Sequence, residues 1–139
     1  MSMNEKKTKR RNNGSAIVEF ALVLPFFILL VVGIVEFSRV LMVQQVITNA
    51  AREGARAGSI YINDTDATTK ATTISEGYLA SSGVNAELAT VTPTITTTGG
   101  LPALQVLINY NYNSILTGFI PGTPGTLTLS ATAIMRREI

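Results

Sequence analysis

The chain contains no cysteine and no histidine. These absences exclude disulfides, zinc centres held by those ligands, and Cys/His nucleophile pairs. They leave the redox compartment open, since a cysteine-free chain suits either side of a membrane. Charge is also scarce: 14% of residues are Asp, Glu, Lys or Arg, against 46% hydrophobic, and the mean hydropathy is +0.31. That balance leans toward a membrane-associated chain rather than a freely soluble enzyme. No phosphate-binding glycine loop, hydrolase elbow or pair of catalytic carboxylates occurs, so no enzyme, cofactor or catalytic residue is expected. With 139 residues, the chain has room for one modest domain and one membrane element, but not for two full domains.

What charge there is lies unevenly. Lys6, Lys7, Lys9, Arg10 and Arg11 supply five of the eleven basic residues, and without residues 1–14 the balance is six basic against eight acidic. The basic cluster abuts an apolar run and lacks interleaved aromatics, which points to membrane orientation and not to nucleic acid. From Phe20 to Val35 there are sixteen residues without a charge, and Ser15 to Val35 gives twenty-one with Glu19 as the only ionisable one. About 20 apolar residues cross a bilayer core as a helix. A secretory signal would need a small-x-small cleavage site closing the run. Instead the run ends in Gly33-Ile34-Val35-Glu36-Phe37 and helical periodicity continues. Five cations before the span and only Arg39 soon after it predict a cytoplasmic N-terminus, with everything after about residue 36 outside.

The pattern predicts an α+β fold. One long helix runs from Ser15 to about Ser59, with Val40, Val43, Ile47, Ala50, Gly54 and Gly58 recurring at steps of three and four. Ala50, Gly54 and Gly58 form a row of small residues that admits a close backbone, either the chain's own sheet or another subunit. Asn63-Asp64-Thr65-Asp66 reads as the start of a second helix that stops near Ser82-Gly83. The last third changes to period two. Ala89 to Thr98, with Pro93, reads as an edge strand entering a hairpin at Gly99-Gly100. Two further strands follow, one on Leu104, Val106, Ile108, Tyr110 and Tyr112, the other on Leu127, Leu129, Ala131, Ala133 and Met135. The stretch from Thr117 to Gly125, with Pro121 and Pro124, is a loop. A three-stranded antiparallel sheet with one apolar face needs a cover, and the second half of the long helix is the candidate. The organisation expected is a cytoplasmic basic leader over 1–14, a transmembrane and extended helix over 15–60, and a periplasmic α+β head over 61–139.

Asp64-x-Asp66 lacks the glycine and the bidentate glutamate of a calcium loop, so helix capping is the reading and no metal is expected. Tyr110 and Tyr112 read as core residues whose hydroxyls reach water. Asn13-Gly14-Ser15 and Asn63-Asp64-Thr65 fit a glycosylation pattern that is common by chance. Pro25 removes one hydrogen bond from the spanning helix and bends it, which suits packing among neighbouring helices.

Glu19 demands more explanation. A carboxylate near a helix N-terminus gains ~0.3 to 1 kcal/mol from the dipole, yet facing lipid it costs up to about 3 kcal/mol unless paired or at the interface. In the intact chain it can snorkel to the headgroups. A cut between Gly14 and Ser15 would remove the five leader cations and place a new α-amino group one turn from Glu19, in the same chain or a neighbour. The helix would then be free to leave the bilayer into an assembly.

These residues resemble a prepilin: a short basic leader, Gly14 before the cut, Glu19 as the fifth mature residue and Phe20 after it. Within that group, "GSAIVEFALVLP" resembles the TadE-like family, minor pseudopilins of the tight-adherence (Tad, type IVc) pilus systems. "AAREGARAGS" at residues 50 to 59 and "LTLSATAIMRRE" at 127 to 138 are similar to further family signatures. The resemblance implies cleavage by a membrane-embedded prepilin peptidase, with Gly14 and Ser15 flanking the scissile bond and Glu19 as the assembly acid. It also implies a single-pass inner-membrane protein with a periplasmic head, acting in the initiation, capping or stabilisation of a pilus used in adhesion and biofilm formation. Its partners would be other pilins and pseudopilins, the inner-membrane assembly platform and the bilayer. Phe20 in place of tyrosine departs from the major-pilin pattern and fits a minor component. An uncleaved signal-anchored protein, with a head that binds a ligand or scaffolds a secretion machine, is the alternative.

Overall fold

The computed structural model describes residues 12–118, 122 and 125–137. The basic cluster Lys6 to Arg11, with Pro121 and Pro124, lies outside the described residues. The element order is α1 (Asn12–Ser59), α2 (Asp64–Ser81), a 3-10 turn (Ala86–Leu88), β1 (Ala89–Thr98), β2 (Leu101–Asn113), a second 3-10 turn (Ile115–Gly118) and β3 (Thr126–Arg136). The expected α+β architecture is therefore what the chain adopts. Contacts divide the chain into two units that meet between Val35 and Glu36, within α1. The second unit begins at Glu36, because its core needs the inward face of α1 in the half of the helix expected to cover the sheet.

In the first unit, residues 14–31 are exposed along the whole circumference of the helix. Its 18-residue apolar window has a mean hydropathy of 2.8 and no residue buried by protein. By length and composition this helix can cross a membrane. Pro25 lies within it and cannot donate to the carbonyl of Ala21.

The second unit is built round a three-stranded antiparallel sheet in the order β1-β2-β3. Gly99 (φ 60°) and Gly100 (φ 78°) close the β1–β2 hairpin. Two consecutive left-handed residues match the twist of the strands they join, a conformation that glycine adopts without a Cβ clash. Pro93 is accommodated because β1 is an edge strand. Leu104, Val106, Ile108 and Tyr110 of β2 share one face with Leu129 and Ala131 of β3, and all are buried. Val43, Ile47, Ala50, Ala51 and Ala55 of α1, with Ala71 and Leu79 of α2, complete the same core. Fully burying a residue such as Ile47, Leu79, Leu104 or Ile108 contributes roughly 1.5–3 kcal/mol. Both helices thus cover the sheet, where the sequence pattern singled out α1. The opposite face carries Thr90, Thr92 and Thr94 of β1, Asn109 and Asn111 of β2, and Thr128, Ser130 and Thr132 of β3. Residues 88–135 include no Asp, Glu, Lys, Arg or His.

Local signals set the α2 boundary. The Asn63 side chain accepts from the Thr65 N–H at 2.9 Å, and Asp64 and Asp66 occupy the positive end of the helix. The helix ends at Ser81, close to the predicted stop. The β2 strand starts at Leu101, three residues before the predicted alternation, because the two-glycine turn pairs residues from Thr98 and Leu101 onward.

Candidate functional site

The segment singled out at the N-terminus is a continuous stretch of α1. Ser15 donates its hydroxyl to Glu19 Oε1 at 3.3 Å, one turn on. Both residues are exposed, and Phe20 beside them is 66% exposed. Residue 15 and the acid at 19 are therefore neighbours on one helix face, and a cation at residue 15 would have the acid within reach. Gly14 meets nothing within 4 Å of where a Cβ would stand. The segment offers a bare apolar flank interrupted by a single carboxylate, a surface that can pair with lipid or with other apolar helices.

The small-residue row faces the chain itself. A Cβ at Gly54 would strike Ser75 Oγ and stand 2.8 Å from the Ala71 carbonyl oxygen. One at Gly58 would strike Leu104 Cδ2 and stand 2.5 Å from the Ala67 carbonyl oxygen. Ala50 is fully buried, and its carbonyl accepts from Ser75 Oγ at 3.1 Å. The row therefore packs mainly on α2, a neighbour that neither alternative read from the sequence had named, with Leu104 of the sheet as the second contact.

A second acid emerges that sequence reasoning passed over. Glu36 is 4% exposed. Tyr112 donates its hydroxyl to Glu36 Oε2 at 3.0 Å, and the Ile115 N–H donates to Oε1 at 3.0 Å. The Ser114 side chain adds a further hydrogen bond. The Arg39 guanidinium stands 6.0 Å from the centre of the Tyr112 ring. Burial, and then the hydrogen bond to the Glu36 carboxylate, hold the Tyr112 phenol above its usual range. The Tyr112 hydroxyl thus reaches an acid and not water, as Tyr112 is buried and its donor is spent on Glu36. A signal for this pair exists in the sequence. Glu36, Val40, Val43, Ile47 and Ala50 fall on one helical stripe, so the acid sits on the apolar face and needs a buried donor.

Asp64 has a role beyond the helix start. Arg137, nearly buried, donates to Asp64 Oδ1 at 2.6 Å and to the carbonyls of Tyr61 at 2.7 Å and Ile62 at 2.6 Å. Its own N–H bonds the Pro102 carbonyl at 2.9 Å. The end of β3, the start of β2 and the turn between the helices are tied by one residue. Among the described residues, no group of three or more acids could hold a metal ion.

Residues 14–56 match the family model for TadE-like protein. No curated protein and no solved structure gives a significant match. The matched segment includes the Ser15–Glu19 pair, the apolar run, Glu36 and Gly54, and stops before α2 and the sheet. The likeness to TadE-like protein is thus confined to residues 14–56, less than half of the chain.

Proposed function

We propose that the protein is a minor pseudopilin of a Tad-type pilus, trimmed between Gly14 and Ser15 by a prepilin peptidase. It then acts in initiating, capping or stabilising an adhesive pilus. It starts in the inner membrane with its N-terminus in the cytoplasm and residues 36–139 outside. Its partners are other pilins and pseudopilins and the membrane assembly platform. The observation that carries this reading is the 3.3 Å approach of Ser15 to Glu19 on an otherwise bare apolar helix. After trimming, the α-amino group of Ser15 lies one turn from that acid and can neutralise it, or can neutralise the same acid in an adjoining subunit. The TadE-like match over this segment supports the system, and a folded unit of this size beyond the helix suits a minor component.

Intact-mass measurement after co-expression with a prepilin peptidase tests the processing step. A polypeptide that begins at Ser15 is the expected product. A protein that still begins at Met1 or Ser2 would instead favour a signal-anchored binding or scaffold protein. A Glu19→Gln variant should be trimmed but should fail to join pilus proteins in a detergent pull-down. Normal incorporation of that variant would refute the pairing role of the acid.

A further inference from the structure

We propose that the segment Ser114–Leu116 is a second lipid contact, held at the bilayer surface by Glu36. The proposal rests on residues 15–35 of α1 being the membrane span. Glu36 is the first ionisable residue after the uncharged run from Phe20 to Val35, so the boundary of the hydrocarbon lies next to it. Its carboxylate accepts from the Ile115 N–H at 3.0 Å, which fixes the Ile115 backbone at the level of that boundary. The Ile115 side chain is 41% exposed there.

Polar backbone is excluded from lipid unless its hydrogen bonds are met by protein. Here three successive N–H groups are met: Ser114 bonds the Gly125 carbonyl at 3.2 Å, Ile115 bonds Glu36, and Leu116 bonds Ser114 Oγ at 3.2 Å. The segment carries no charge, and neither does any residue of 88–135. Glu36 takes its hydrogen bonds from protein, which offsets the cost of a carboxylate near hydrocarbon. One turn along α1, exposed Arg39 is placed to meet lipid phosphates, and Phe37 beside Glu36 is 65% exposed. The occupant is a phospholipid interface, since Glu36, which holds the segment, directly follows the last residue of the uncharged run in the chain.

The chain has no cysteine, so single cysteines label cleanly. Full-length Ile115→Cys, Val23→Cys and Thr92→Cys variants would each carry a polarity-sensitive fluorophore in phosphatidylcholine vesicles, with and without acyl-chain nitroxide lipid. The label at 115 should be quenched by nitroxide lipid roughly twofold more than the label at 92, and should resist aqueous iodide. Introducing Glu36→Ala into the Ile115→Cys chain should bring its quenching toward the value at 92. Equal lipid quenching at 115 and 92, or protection of 115 from iodide without lipid quenching, would overturn the proposal. Unchanged quenching at 115 after Glu36→Ala would overturn the role given to that carboxylate. Failure of the label at 23 to be quenched would overturn the span itself, which separates that failure from failure of the second contact.

Discussion

At the scale of single residues, the two carboxylates of α1 that flank the uncharged run meet opposite environments. Glu19 is exposed and accepts from a hydroxyl of its own helix, whereas Glu36 is enclosed by donors from the sheet and the turn that follows it. Removing one donor from a buried carboxylate costs about 2 kcal/mol, because the acid keeps its desolvation and loses its compensation. Tyr112→Phe should therefore lower stability by about that amount in denaturant unfolding of the detergent-solubilised chain followed by circular dichroism. Alkali gives a related expectation. The folded state holds the Tyr112 proton more tightly than the unfolded state does. This contribution to stability is complete below the ordinary phenol range and is lost as pH rises from that range through the higher folded value. Wild type should lose stability more steeply than Tyr112→Phe over that window, and parallel pH curves would contradict the assignment. Glu19 was legible in the sequence because an acid in an apolar run has no innocuous explanation. Glu36 looked like the ordinary end of that run, since its donors lie 76 and 79 residues away in the chain.

At the scale of elements, periodicity carried most of the fold. The β1 limits, the two-glycine turn and the α2 start all follow from local chemistry: alternation, left-handed glycines and an asparagine cap. The neighbour of the Ala50, Gly54 and Gly58 row did not follow, because small residues specify a close approach without saying which backbone approaches. The structure identifies it as α2, and the geometry makes a graded prediction. Gly54→Ala and Gly58→Ala should each destabilise the fold by about 1–3 kcal/mol, since the added methyl meets a carbonyl oxygen of α2. Gly33→Ala, with open space around it, should leave the unfolding midpoint unchanged. Three similar midpoints would mean that the two helices do not pack this closely. Arg137 is the other tie between elements. Arg137→Ala removes the bonds to Asp64, Tyr61 and Ile62 together and should cost about 3 kcal/mol, with faster proteolysis of the turn at residues 60–63 as the local readout.

At the scale of the whole molecule, the α+β class, the candidate span and the use of the second half of α1 as cover for the sheet could be read in advance. A change of period marks where a helix gives way to other elements, but the second unit recruits α1 from Glu36 onward for its core. A chain truncated to residues 61–139 should consequently fail to fold, as it lacks Val43, Ile47, Ala50, Ala51 and Ala55. One beginning at Glu36 should give dispersed amide resonances in solution, and a folded 61–139 fragment would show that α1 is dispensable to the core.

The largely uncharged outer sheet face has its own consequence for how this protein is handled and sorted. Away from Arg136 at the end of β3, this surface presents hydroxyls and amides without formal charge, which dissolved ions cannot shield. Whatever binds to it will tolerate brine, while adhesion through the helices, where Arg52, Glu53, Arg56 and Lys70 reside, will weaken as ionic strength climbs.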